Sequence, residues 1–142
     1  MSATQTDVRP HFAVVQALLN DHLSPASAYA PDEIPGGEQT DDEEERKKPL
    51  PSIFVQLGME QRSVPPVGLV ARSTRGGWRI TTDCLGRTYL EASWAMARVN
   101  NALRNARYVV DGDVVKTFHE STTQPRWDTS RWHGVVIFTA SH

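Results

Sequence analysis

The stretch Gly77–Leu103, GWRITTDCLGRTYLEASWAMARVNNAL, limits the possible folds more than any other part of the chain. It opens with strict alternation. Trp78, Ile80 and Thr82 share one face of a strand and Arg79, Thr81 and Asp83 the other, the pattern of a sheet with one wet face. Gly86 permits a turn, and Asp83 or Thr88 is placed to cap a helix. Tyr89, Ala92, Met96, Val99 and Leu103 then recur at helical spacing as a core stripe. Leu90, Trp94 and Ala97 make a second, shorter stripe, with Trp94 near Glu91 and Arg98 on the helix surface. A helix that is apolar on two sides needs two things to pack against. Its own sheet is one. The other is either the first helix of the same chain or a second subunit, since Trp is enriched at interfaces. Ala92, Ala95, Ala97 and Ala102 allow another element to approach closely.

Before this stretch, Asp7 is placed to cap a helix over residues 8–22, with Pro10 tolerated in its first turn. Val8, Phe12, Val15, Leu19 and His22 or Leu23 form its apolar stripe, and Ser24-Pro25 ends it. Residues 24–51 hold five prolines and show neither periodicity, so they read as a long loop. Within it, Asp41, Asp42, Glu43, Glu44 and Glu45 are followed by Arg46, Lys47 and Lys48. This run reads as a solvated, mobile loop tip, or as a segment that reaches a partner or lines a channel. Acids first and bases last also suit one short helical turn.

Strands are expected at 52–57, 67–73, 78–83, 107–110, 114–120 and 132–141, with 58–66 and 121–130 as connections. Asp111-Gly112 marks a hairpin of two residues or a little more. Both faces of the last strand are apolar, so it is central or meets a partner. The order α, β-β-β, α, β-β-β predicts a single α+β domain over residues 1–142: a mainly antiparallel sheet with two helices packed on it and a long loop after the first.

Few residues suggest chemistry. A net charge of −2 argues against a sequence-independent DNA binder. The lone Cys84 excludes an internal disulfide framework and any cysteine-based zinc cluster. The N-terminus has no apolar signal segment, and the longest apolar run, Gly134–Phe138, is too short to span a bilayer. No glycine pair has the context of a phosphate loop. Cys84, beside a helix start, could be a nucleophile if His119 or His133 served as its base; otherwise it is a small buried apolar residue. His119, Glu120, Asp128 and His133 match no metal-ligand spacing. Arg126-Trp127 and Arg131-Trp132 read as a turn pinned by a tryptophan with arginine stems over the rings, or as a subunit contact. No cofactor is expected.

Nearly the whole chain resembles the tail terminator (tail completion) proteins of long-tailed phages, in particular those of phages of actinobacteria. The resemblance rests on DVRPHFAVVQALLNDHL, the long loop, a strand ending in IFVQLG, the stretch Gly77–Leu103, the hairpin VVDGDVVKTFHES and the last strand RWHGVVIFTAS. It implies a non-enzymatic virion protein assembled in the host cytoplasm. Its subunits would form a hexameric ring that caps the tail tube, ends tube polymerisation and joins tail to head. Its partners would be further copies of itself, the major tail tube protein and a head-completion (stopper) protein of the neck, with genomic DNA passing through unbound. A ring needs two different faces per subunit. Leu90, Trp94 and Ala97 are candidates for one, and Arg126, Trp127, Arg131 and Trp132 for the other. Acids at Asp41–Glu45 in the lumen would repel DNA and favour sliding. The alternatives are another neck component, such as the stopper itself, and a small intracellular cysteine-dependent enzyme.

Overall fold

The computed structural model describes residues 7–62 and 77–141. The strand expected at 67–73 lies outside these residues.

Helix α1, Val8–Leu23, starts where Asp7 accepts a hydrogen bond from Arg9 N (3.0 Å) and ends at Ser24. His11, Val15, Leu19 and Leu23 are buried, while the expected Val8 and Phe12 are only half-buried. His11 takes a core position because polar and aromatic partners receive it. Its Nδ1 is 3.1 Å from Tyr108 Oη, and its ring lies 5.3 Å from that of Trp78.

Residues 24–51 are built rather than loose. They contain a two-residue strand β1, Ala28–Tyr29, and one helical turn α2, Glu43–Arg46. Asp42 caps α2 by accepting from Glu44 N (2.9 Å), and the acids-then-base order runs as the helix dipole favours. The segment also bonds to itself: Gly36 N donates to Glu45 O (2.8 Å), Arg46 Nε to Thr40 O (2.9 Å), and Thr40 Oγ1 to Ile34 O. Ile34 and Thr40 are buried. The run Asp41–Glu45 is therefore solvated, but its backbone belongs to a folded lobe.

Strands β2 (Ile53–Arg62), β3 (Gly77–Gly86), β4 (Arg107–Val110), β5 (Asp113–Asp128) and β6 (Arg131–Ser141) join β1 in one sheet of order β1-β2-β3-β6-β5-β4. All neighbours are antiparallel except β1 with β2. Helix α3, Tyr89–Leu103, follows β3 and is capped by Thr88, which accepts from Glu91 N (3.1 Å). The expected α+β architecture is observed, with both long helices on one face of the sheet and packed against each other.

Three expectations change. Residues 58–62 and 121–128 are strand rather than connection. Their polar composition is overridden by ladders to β3 and β6, and β5 absorbs its extra residues in register shifts at His119/Ser121 and Thr123/Arg126. Tyr89 leaves the core stripe and is 45% exposed, whereas Ala92, Met96, Val99 and Leu103 are buried as expected. The hairpin loop is the two residues Asp111 and Gly112, both at positive φ (50° and 84°). Strand β6 is central in the sheet order, one of the two placements expected; Val136, Phe138 and Ala140 are buried on the helix side, and Val135 and Ile137 on the other face are half-buried.

The helix-side face of the sheet holds Leu57, Trp78, Ile80, Cys84, Val136, Phe138 and Ala140. The opposite face bears neither long helix; the 24–51 lobe, which carries α2, reaches it at Phe54. Only Phe54, paired with Leu85 on that face, is buried there, alongside Ile34 and Leu50 of the 24–51 lobe.

Candidate subunit interfaces

Trp127 and Trp132 lie at one end of the sheet, under the start of α3. A row of paired positions, Ile53–Gly86–Trp132–Trp127, crosses β2, β3, β6 and β5 there. Helix α3 begins directly over Gly86. A Cβ at that position would meet Ala92 N at 2.6 Å and Glu91 Cβ at 2.7 Å, so only glycine lets the helix seat this closely.

On the flank of α3 toward the 24–51 segment, Trp94 is half-buried against the core and lines an open groove of about 410 Å³ with Pro25, Ala26, Tyr29 and Ile53. The Arg98 guanidinium lies 5.2 Å from the centre of its ring. Leu90 is 76% exposed, and Ala97 is exposed. The stripe Leu90, Trp94, Ala97 thus shows a side to solvent, while Trp94 also serves its own chain. Ala95 and Ala102, read above as places where another element comes close, are buried within the subunit.

Beyond the start of α3, Trp127, Trp132 and Tyr89 form a ladder. Trp127 meets Trp132 edge-on at 6.1 Å, and Trp132 meets Tyr89 at 5.5 Å. This ties the tip of the β5–β6 hairpin to the residue preceding Leu90. Trp127 remains 58% exposed. The arginines do something different from what the sequence suggested. Arg131 lies on the opposite face, where its Nη1 donates to Ser52 O (3.0 Å) and its guanidinium sits 5.5 Å from the Phe54 ring, not over a tryptophan. Burial lowers its pKa from the ordinary value. Arg126 is exposed on that same face, level with His133.

Of the acids, Asp41, Asp42, Glu43 and Glu44 are exposed, and Glu45 pairs with Lys48 Nζ (2.6 Å). They stand on the lobe that covers Phe54, on the opposite side of the sheet from the tryptophan ladder.

Residues considered for catalysis are not brought together. Cys84 is fully buried among core side chains, and burial pushes its thiol up to about 12. His133 faces the other side of the sheet, its Nε2 3.4 Å from Asp83 Oδ1, and His119 packs on Phe138 and bonds Thr122 Oγ1 (2.6 Å). A thiolate–histidine pair is therefore absent among the described residues. Glu120 is taken by Arg79 (3.0 Å) and Thr139 (3.0 Å), which hold its carboxyl below the usual range. No group of three or more His, Cys, Asp or Glu among the described residues is placed to hold a metal ion. No helix among them is long and apolar enough to cross a membrane.

Sequence reasoning missed Tyr89, because its spacing matched the core stripe, and the outer edge of β5, which has no partner strand among the described residues, because residues 121–128 carry no strand signal.

No family model matches the chain, and no curated protein matches it by sequence. Among solved structures, the fold is similar to that of a chain in the virion of a native gene transfer agent (GTA) particle. The TM-score is 0.55, identity is 18%, and the alignment covers 96% of this chain and 92% of that one.

Proposed function

We propose that this protein is a virion structural subunit, and specifically a tail terminator: a hexameric ring that caps the tail tube, stops its growth and offers a docking surface to a neck protein. The observation that carries the reading is the fold likeness to a gene transfer agent virion chain over nearly the full length of both chains. The resemblance of the sequence to tail terminators gives the finer assignment. Support also comes from side chains that a monomer has little reason to expose together: Leu90, Trp127 and the open side of Trp94, at one end of the sheet. The protein would act by shape and interface, with the tube protein and the stopper as partners. Genomic DNA would pass through the ring past Asp41–Glu45, whose charge disfavours binding.

The test is negative-stain imaging with native mass on the same sample, then addition of purified tail tubes. Closed rings of about six subunits, or caps on tube ends, are expected. A monomer that leaves tube ends bare refutes the assignment. Overlong tails in a knockout separate a terminator from a stopper.

A further inference from the structure

The sheet has two incomplete edges. Strand β4 pairs only with Asp113–Lys116 of β5, and Thr117 N bonds Ala106 O (3.0 Å). From Phe118 to Asp128, the outer side of β5 has no partner strand among the described residues. Across the sheet, β1 covers only Val55 and Gln56 of β2, which leaves Leu57–Arg62 without one among those residues. Long open edges are a liability in a soluble chain and are usually blunted. Here Pro125 and the shift at Thr123/Arg126 blunt the far part of β5, while Phe118–Thr123 carries one shift and an exposed aromatic ring.

The two open stretches are level with each other. Paired positions run Leu57–Thr82–Val136–Thr122, then Gly58–Thr81–Ile137–Ser121, then Glu60–Arg79–Thr139–Phe118. Direction matters as much as height. Strands β2, β3, β6 and β5 alternate, so β2 and β5 run in opposite senses. A second copy set alongside in the same orientation brings its β2 against this β5 as an antiparallel pair. That contact joins two different edges, so it repeats head to tail and can close a ring.

We infer that the open edge of β5, Phe118–Thr123, pairs with the open edge of β2, Leu57–Arg62, of a second copy of this chain. The sheet then runs on from subunit to subunit. The inference rests on the ring proposed above and names its contact. The register is limited by β4, which already covers Lys116; a shift of two residues away from it sets Arg62 against Phe118 and Gly58 against Thr123 and keeps every side chain on its face. The Leu90 and Trp127 surface remains available for the tube or the neck.

Paired cysteines test the contact. Gly58→Cys has open space around its new Cβ and lies on the face away from α1 and α3. It is combined in one chain with Phe118→Cys, Ser121→Cys or Thr123→Cys, all on that face. Native mass is recorded before mild oxidation. The expected result is a ladder of disulfide-linked species ending at the ring, from at least one pair and from neither single variant. Rings that form while all three pairs fail to cross-link overturn the edge contact and leave the ring standing. A dimer from Ser121→Cys alone means two β5 edges meet about a two-fold axis, which also overturns it. Absence of rings, both free and on tubes, removes the ring and the contact together.

Discussion

Replacing Gly86 by Ala tests how α3, and with it Leu90 and Trp94, is held over the sheet. The added Cβ would lie 2.6 Å from Ala92 N, 2.7 Å from Glu91 Cβ and 3.0 Å from the Glu91 carbonyl carbon. Ordinary contact begins near 3.4 Å. The helix start must therefore lift by about 0.8 Å, and two of the three obstructing atoms are backbone, so no rotamer change relieves them. Lifting α3 loosens the layer Ala92, Ala95, Met96 and Val99 against β3 and β6. Overpacking of this kind costs roughly 1–3 kcal/mol. For a chain of this size that is about 3–12 °C in Tm. Gly134→Ala is the control. Its Cβ would strike the thioether of Met96, the far end of a flexible side chain. Its loss should be smaller, and Met96→Val should recover part of it. Urea unfolding followed by tryptophan fluorescence reads both. A Gly86→Ala loss below about 0.5 kcal/mol at unchanged m-value would refute the argument that this close approach fixes the helix.

Trp94→Ala should weaken ring assembly more than it weakens the subunit, because one side of the ring faces the open groove; native mass and urea midpoint measured together decide this, and equal losses count against an interface role. Deleting Asp41–Lys48 and bridging with two glycines should cost about 1–2 kcal/mol, since it removes the Glu45 acceptor and the Arg46 donor but no buried side chain; unfolding at room temperature would show that the lobe matters more than this. Cys84 should stay inert to a thiol reagent at pH 8 and react once urea unfolds the chain, and rapid labelling of the folded protein would contradict its burial. The folded chain keeps the Cys84 proton to about pH 12, against an ordinary value of 9.0, so its contribution is complete below pH 9 and is lost as pH rises from there. The slope is at most about 1.4 kcal/mol per pH unit, and Cys84→Ala should remove it.

Local patterns in the sequence were enough for the two long helices, the Asp7 cap, the β3 alternation and the Asp111-Gly112 hairpin, because each depends on residues close in the chain. The ends of β2 and β5 were not legible. Residues 121–128 are strand because β6 lies beside them, and that neighbour is supplied by sheet order alone. The same holds for His11, whose burial depends on Tyr108 and Trp78 far along the chain, and for Arg131, whose partners Ser52 and Phe54 lie across the sheet. Of the candidate interface residues, the sequence alone determined the apolar character of Leu90, Trp94, Ala97, Trp127 and Trp132 and the helical setting of the first three. Only the tertiary structure decided that Trp94 is shared between core and groove, that Trp127, Trp132 and Tyr89 join into one ladder, and that two sheet edges have no partner strand among the described residues at the same height. Periodicity reports which face of an element is apolar; which neighbour covers that face, or leaves it bare, is settled when distant strands pair.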